Sequence, residues 1–153
     1  MLRKIAYVAA VGIAVAILGV LTLQHRWPVG PVVLLLGIIP LGGLIAAGRA
    51  APGAVPDLIF GAIDTGLLAI PALGGGMVFG VAGAIAGGVI GDALTDAIAG
   101  FAEGGIAQWL HARGIEAARE PITTSLGKMA GCLLGAGLVL SGAWLLGLAP
   151  SFA

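Results

Sequence analysis

Long apolar stretches fill most of this sequence and leave very few charged side chains. Of 153 residues, 59% are hydrophobic, and the charged residues are only 7 Lys and Arg and 7 Asp and Glu. A soluble domain carries about 25% charged residues, which its water-facing surface requires. The charged fraction here is 9%, so the sequence predicts an all-α integral membrane protein and excludes a water-soluble globular domain.

The composition also excludes several functional classes. The formal net charge is zero, which argues against nucleic acid as a partner because nucleic-acid binding needs a basic face. The single cysteine excludes a disulfide framework and a thiolate zinc site. The two histidines are too few for most imidazole metal sites. We therefore expect no cofactor other than a bound metal cation.

Five apolar segments are long enough, or nearly so, to cross a bilayer, which takes about 20 residues. They cover approximately residues 5–23, 30–47, 57–72, 76–102 and 126–148. The second and third segments are at or below the limit, so we expect them to tilt little, to thin the bilayer, or to be broken or re-entrant. The predicted turn between the third and fourth segments is the glycine triplet at 74–76.

These segments predict two regions and an orientation. An N-terminal two-helix hairpin covers 1–50, and a three-helix core covers 56–149, with a cytoplasmic amphipathic linker at 103–124. Six of the seven Lys and Arg fall on one side of this arrangement, and Arg26 alone falls on the other. The six are Arg3, Lys4, Arg49, Arg113, Arg119 and Lys128. Cytoplasmic ends carry the excess of Lys and Arg, so we expect a cytoplasmic N-terminus in an inner (plasma) membrane.

Glycine is unusually frequent, with 28 residues against a usual share of about 7%. Two glycine ladders repeat every four residues, one in each of the last two segments: Gly83, Gly87 and Gly91, and Gly127, Gly131 and Gly135. Small residues at this spacing let helix backbones approach closely. We therefore expect glycine-rich helix packing. Glycines beside acidic residues can also free backbone carbonyls as ligands.

Three carboxylates lie inside apolar segments: Asp64, Asp92 and Asp96. A charged Asp at the bilayer centre costs about 2.5–3.5 kcal/mol, so each should face the protein interior, a water-filled cavity or a cation, or be protonated. Asp92 and Asp96 share one helix face because they are four residues apart. Glu103 returns to that face, and antiparallel packing of the third and fourth segments would bring Asp64 beside the pair.

The predicted site is a group of hard oxygen ligands without His or Cys. Its members are Asp64, Thr65, Asp92, Thr95, Asp96 and Glu103. Such ligands suit Na⁺, Ca²⁺ or Mg²⁺, and intramembrane acids usually mark ion pathways. The alternatives are structural: Asp64 can pair with Lys128 or accept backbone hydrogen bonds, and Glu103 can be an interfacial charge.

Three sequence blocks in this region match the pattern of a known family. They are Gly61-Ala-Ile-Asp64-Thr65, then Gly91-Asp92-Ala-Leu-Thr95-Asp96 followed by Glu103, then Leu126-Gly127-Lys128 with Gly131, Cys132 and Gly135. They resemble the Gly-x-x-Asp-Asn, Gly-Asn-x-x-Ser-Asp and Leu-Gly-Lys motifs of the transmembrane protein 65 family. The resemblance covers about residues 59–140 and leaves the first two segments outside it.

The resemblance implies cation transport, since the family includes a mitochondrial inner-membrane protein tied to sodium-dependent calcium efflux. Thr65 and Asp92 stand where the family has Asn, and Thr95 stands where it has Ser. The site implied for this chain consists of Asp64, Asp92, Asp96 and Glu103. We also expect a homodimer with its two-fold axis near the glycine faces, because one small chain offers few helices to enclose a path.

Two other functional classes remain as alternatives. The chain can be a non-transporting assembly subunit whose acids pair with cations of a larger membrane complex. It can also be an intramembrane enzyme, although Val89-Ile90-Gly91-Asp92 lacks the Gly-x-Gly-Asp of intramembrane aspartyl proteases. Gly88, Asp92 and Asp96 match only the second half of a CDP-alcohol phosphotransferase signature. We therefore expect that the protein is not an enzyme.

Overall fold

A computed structural model describes residues 1–112 and 120–148, with backbone alone over 99–111. Its regular elements in these ranges are all helical: α1 (Leu2–Gln24), α2 (Val29–Leu36), α3 (Ile38–Ala46), a 3₁₀ turn (Ala51–Ala54), α4 (Val55–His111) and α5 (Pro121–Leu145). Four stretches of the described chain are long and apolar enough to cross a membrane: Leu2–Gln24, Val29–Ala46, Ala51–Ile98 and Pro121–Leu145. The predicted all-α class agrees with this architecture.

Helix α4 is broken at Gly80. The φ and ψ angles of this residue are 63° and −147°, a combination that is essentially open only to glycine. The chain reverses direction there. We call residues 55–79 the first arm of α4 and residues 81–111 its second arm.

The two arms form a tight antiparallel hairpin. A Cβ atom at Gly83 would overlap the carbonyl oxygen of Gly75, and a Cβ atom at Gly87 would overlap that of Pro71. The predicted turn at 74–76 is wrong, because these three glycines stay helical. The missing side chain at Gly75 allows the two arms to approach at Gly83. The chain reverses its direction at Gly80 instead.

The second and third segments, both predicted to be short, differ in the helices that they form. The third, predicted over 57–72, belongs to the first arm at 55–79, which is about 37 Å long at 1.5 Å per residue. The second is interrupted, since Gly37 separates α2 from α3. A Cβ atom at Gly37 would lie 2.9 Å from the side chain of Leu134, so this position is also a close helix contact.

Helix α5 packs along the first arm through its glycine ladder. A Cβ atom at Gly131 would overlap the carbonyl oxygen of Leu58, and one at Gly135 would overlap that of Ala62. The residue numbers rise together, so the two helices run parallel. The expected glycine packing is therefore confirmed. Both ladders make contacts within one chain. The homodimer with its two-fold axis near the glycine faces stays a prediction.

Helix α2 packs on α5 in the opposite direction. A Cβ atom at Gly30 would overlap the backbone of Ser141, and one at Gly137 would lie 2.5 Å from the backbone nitrogen of Leu34. The residue numbers run in opposite senses, so α2 and α5 are antiparallel. Helix α5 therefore lies between α2 and the first arm of α4, and it is the central helix of the described chain.

Helix α1 lies at the periphery and contains no buried residue. The hydroxyl of Tyr7 donates a hydrogen bond of 2.7 Å to the carbonyl oxygen of Gly43 in α3. A small apolar core lies at this end of the molecule: Leu44, Ala54, Ile122 and Leu126, with Tyr7, Val8, Val11 and Ala47 packed against it. The N-terminal half of α1 is thus attached to the other helices.

Candidate cation site

The hairpin of α4 sets the relative depth of the candidate residues. Gly91 in the second arm packs against the backbone of Leu68 in the first. One helical turn further along each arm, in opposite directions of the chain, lie Asp64 and Thr95. The antiparallel register therefore places these two predicted site residues at the same level along the axis of the hairpin.

Asp64 is half-buried. Its Oδ1 atom is shielded from solvent and has no hydrogen-bond partner among the described residues. Thr65, the next predicted site residue, is also half-buried. A buried carboxylate oxygen without a partner is unfavourable. A cation or a proton at Oδ1 would remove this penalty.

Thr95 is buried, with an exposed fraction of 7%. Its hydroxyl donates a hydrogen bond of 3.1 Å to the carbonyl oxygen of Asp92 in the same helix. The hydroxyl oxygen keeps lone pairs that can accept a hydrogen bond or bind a cation. Among the predicted site residues whose side chains are described, Thr95 is therefore buried, Asp64 and Thr65 are half-buried, and Asp64 carries the shielded oxygen.

Asp92 and Asp96 are exposed on the second arm. The reason is helical geometry: the ladder that includes Gly91 occupies the face toward the first arm, and positions 92 and 96 are rotated by about 100° and 140° from Gly91. Of the alternatives predicted for these two acids, a position inside this chain does not hold, whereas a water-filled cavity, a cation or protonation stay predictions. They lie among exposed apolar residues such as Ile90 and Leu94.

The predicted acidic cluster is not assembled in the described part of the chain. No group of three His, Cys, Asp or Glu that could hold a metal ion occurs there. The side chain of Glu103 lies outside the described residues. Lys128, a possible partner of Asp64, is exposed, and its ammonium nitrogen lies 4.7 Å from the ring centroid of Phe60.

Asp57 is a buried acid that sequence reasoning did not single out. It lies in the first turn of α4, has an exposed fraction of 7%, and packs near Gly127. A carboxylate is favourable in a first turn because it interacts with the positive end of the helix dipole. Its position directly after Pro56 was the available signal, since proline is common at helix starts.

Glu120 is a second acid whose role the sequence did not reveal. Its Oε1 atom lies 2.7 Å from Lys4 Nζ and 3.1 Å from Arg49 Nη2, and its Oε2 accepts a hydrogen bond of 3.2 Å from the backbone N–H of Thr123. The hydrogen bond from Lys4 is the largest cause that lowers the pKa of Glu120 from 4.5 to about 2. Glu120 therefore caps α5 and joins it to α1 and to the residues after α3.

Comparisons with protein-family models, with curated proteins and with solved structures gave no significant match. The resemblance to the transmembrane protein 65 family therefore depends on the sequence motifs alone. The structure defines a broader class: a helical chain with four stretches long and apolar enough to cross a membrane. One of these stretches carries, at Asp64, a carboxylate oxygen that has no partner within the part of the chain that the structure describes.

Proposed function

We propose that this chain is a multi-pass membrane protein that transports or exchanges cations, of the Na⁺/Ca²⁺ type or a related divalent type. The observation that supports it is the Oδ1 atom of Asp64, which is buried and unpartnered among the described residues. A negative charge in this position needs a cation or a proton nearby. The motif resemblance to the transmembrane protein 65 family favours the same function.

In this proposal Asp64 is the central ligand, and the hydroxyls of Thr65 and Thr95 are further ligands. A cation that enters the hairpin exchanges water oxygens for carboxylate and hydroxyl oxygens, which hard cations prefer. Na⁺ or a proton competes for the same carboxylate, and this competition couples the two fluxes. Asp92 and Asp96 belong to the path only where a second copy covers the outer face of the second arm, so the proposed active form is a homodimer.

The proposed topology has five membrane crossings and a cytoplasmic N-terminus in the plasma (inner) membrane. The stretch Ala51–Ile98 contains 48 residues, about 72 Å of helix, whereas the hydrocarbon core is about 30 Å thick. The reversal at Gly80 divides it into two crossings. Lys4 and Arg49 both contact Glu120, so two of the cations that predict the orientation lie at the same end.

Flux through purified protein in liposomes tests the proposal. The vesicles contain a Ca²⁺-sensitive dye, and a Na⁺ or proton gradient is applied from outside, with a Mg²⁺-sensitive dye in a parallel series. We expect gradient-driven cation movement, and we expect Asp64→Asn and Asp96→Asn to lower it at least about tenfold, because the first removes the charged ligand and the second removes an acid of the path in the proposed dimer. Glu120→Gln is the control, since it removes a carboxylate outside the spanning helices.

The variants must first be shown to fold, by their circular dichroism and by their elution as a single species in detergent. Flux that persists in folded Asp64→Asn would overturn the assignment of Asp64 as a ligand. Absence of Ca²⁺ and Mg²⁺ movement in the parent protein, under either gradient, would overturn the transport function itself.

A second function, that of an assembly subunit, is favoured by the exposed face of the second arm. Asp92 and Asp96 are exposed there, and so are Val89 and Ile98, at 65% and 64%. Carboxylates are unfavourable against lipid, so a larger complex with cationic helices would also cover this face. Consistent co-purification of another membrane protein, lost in Asp92→Asn/Asp96→Asn, would support this function; a stable oligomer of the chain alone would contradict it.

A further inference from the structure

An open groove separates the C-terminal half of α1 from α2. It contains a cavity of about 440 Å³, and a second cavity of about 120 Å³ adjoins it. Most of the side chains that line the larger cavity are aliphatic, among them Leu18, Leu21, Val32 and Leu35. The lining also includes Thr22 and two residues that follow α1, His25 and Trp27.

Polar contacts attach α1 to the rest of the chain at the end away from this groove. Near its N-terminus α1 is held by the hydrogen bond of Tyr7 and by the ion pair between Lys4 and Glu120. Near its C-terminus α1 passes α2, where a Cβ atom at Gly19 would lie 3.9 Å from the Cδ1 atom of Leu36. The larger cavity lies between the two helices beside the connection that joins them, since His25 and Trp27 are among its lining residues.

The end of the groove beside the connection from α1 to α2 has the chemistry of a membrane interface. His25 and Trp27 lie with their ring centroids 6.1 Å apart, and tryptophan is enriched at the level of lipid headgroups. Arg26 lies between them in the sequence and is exposed, next to the lining of the larger cavity but not part of it. Among the described cations, Arg26 is the one placed at this end, since Lys4 and Arg49 meet Glu120 at the opposite end.

We infer that this groove is a binding site for a glycerophospholipid with an anionic headgroup. One acyl chain lies between α1 and α2, and the phosphate lies beside Arg26. From His25 to Leu18 the helix rises about 10 Å, which accommodates the upper half of an acyl chain. Charge complementarity selects the headgroup, because a basic residue near the surface attracts anionic lipids. The inference uses the proposed membrane topology and does not depend on cation transport.

Tryptophan quenching by brominated lipid tests the site in the full chain. Trp109→Phe and Trp144→Phe leave Trp27 as the single tryptophan. The protein is reconstituted into phosphatidylcholine nanodiscs with increasing fractions of phosphatidylglycerol brominated on its acyl chain, or of phosphatidylcholine brominated in the same way. We expect quenching by the anionic lipid to saturate at a low mole fraction, with an apparent preference of about fivefold over the zwitterionic lipid.

Two variants separate the groove from the general lipid surface. Arg26→Gln should reduce the preference to near unity, whereas Arg26→Lys should retain most of it. Arg3→Gln, at the opposite end of α1, is the matched control and should leave the preference unchanged. Quenching that rises linearly with both lipids would overturn the site, since it would report only the lipid that surrounds the protein. A preference that survives Arg26→Gln would overturn the role of Arg26.

Discussion

Helices α1 and α5 have similar lengths and are both strongly apolar, but they occupy opposite positions in the fold. Eight residues of α5 are buried, whereas α1 has none. The glycines explain the difference: Gly131 and Gly135 meet the backbone of the first arm, whereas Gly12 and Gly19 in α1 approach only the ends of Met129 and Leu36 side chains. In lipid, hydrophobicity gives no preference for the centre of a bundle, and close backbone approach selects the central helix.

The largest expected effect tests this explanation in α5. Gly131→Ala places a methyl group on the carbonyl oxygen of Leu58, so the first arm has to move away. We expect a loss of about 3 kcal/mol or more in the free energy of unfolding, at the upper end for overpacking. Steric trapping in detergent micelles, which measures that free energy for membrane proteins, is the appropriate measurement.

Gly142→Ala is the matched control on the same helix. A Cβ atom at Gly142 meets no atom within 4 Å, so we expect little change in the free energy of unfolding. The comparison between α1 and α5 would lose its basis if both substitutions had the same effect, since the close backbone contact would then contribute nothing to stability.

The next effect concerns the hairpin of α4. A methyl group at Gly80 would meet no atom within 4 Å, but the φ of 63° at this residue is strained for any residue with a Cβ atom. We expect Gly80→Ala to lower the free energy of unfolding by about 1–3 kcal/mol through backbone strain alone. Gly74→Ala, also without neighbours but helical, should be neutral or slightly stabilising.

The same unfolding measurement applies to both glycine variants of the hairpin. An equal response of Gly80→Ala and Gly74→Ala would contradict a sharp reversal at residue 80. A larger loss at Gly74 would instead favour the turn that the glycine triplet predicts.

The position of this reversal shows where sequence reasoning reached its limit. Apolar length and glycine spacing are local properties, so the helices and the glycine packing of α5 were predictable. The turn was not, because consecutive glycines at 74–76 are a stronger turn signal than a single Gly80. Tertiary packing decided otherwise: Gly75 is needed for contact with Gly83, and the helix continues through it.

The candidate site was predictable in part for a related reason. The i to i+4 spacing of Asp92 and Asp96 correctly gives them a common face, but spacing does not say which way that face turns. The contact of Gly91 with Leu68 fixes the rotation of the second arm and leaves both acids exposed. Thr95, four residues after Gly91, is buried with it. Rotation about a helix axis depends on the partner helix, which a single sequence does not specify.

The start of α5 is a further example. The sequence placed residues 121–124 in a cytoplasmic linker, but α5 begins at Pro121 with Glu120 as its N-cap. Proline is favoured at the first position of a helix as well as after its end. Pro121 was therefore compatible both with the end of the linker helix and with the start of α5. The ion pairs of Glu120 with Lys4 and Arg49 join distant parts of the sequence and could not be inferred from spacing.

The smallest expected effect concerns how α1 is attached to α5. Glu120→Gln removes the ion pairs to Lys4 and Arg49, which are partly exposed and therefore weak. We expect the melting temperature in detergent to fall by about 1–3 °C at pH 7, far less than for Gly131→Ala. Because the pKa of Glu120 is lowered from 4.5 to about 2 in the folded protein, its contribution to stability is present above pH 4.5. That contribution is lost as the pH falls towards 2.

The difference in melting temperature between the parent protein and Glu120→Gln should therefore be largest above pH 4.5 and should shrink as the pH falls to about 2. Lys4→Gln removes the largest cause of the lowered pKa and should retain only part of this pH dependence, through Arg49 and Thr123. A difference that stayed constant from pH 7 to pH 2 would contradict the ion-pair attachment. Apolar contacts such as those of Tyr7 with the small core would then hold α1 against α5. The different burial of α1 and α5 would in that case depend only on how closely the backbone of each helix approaches its neighbours.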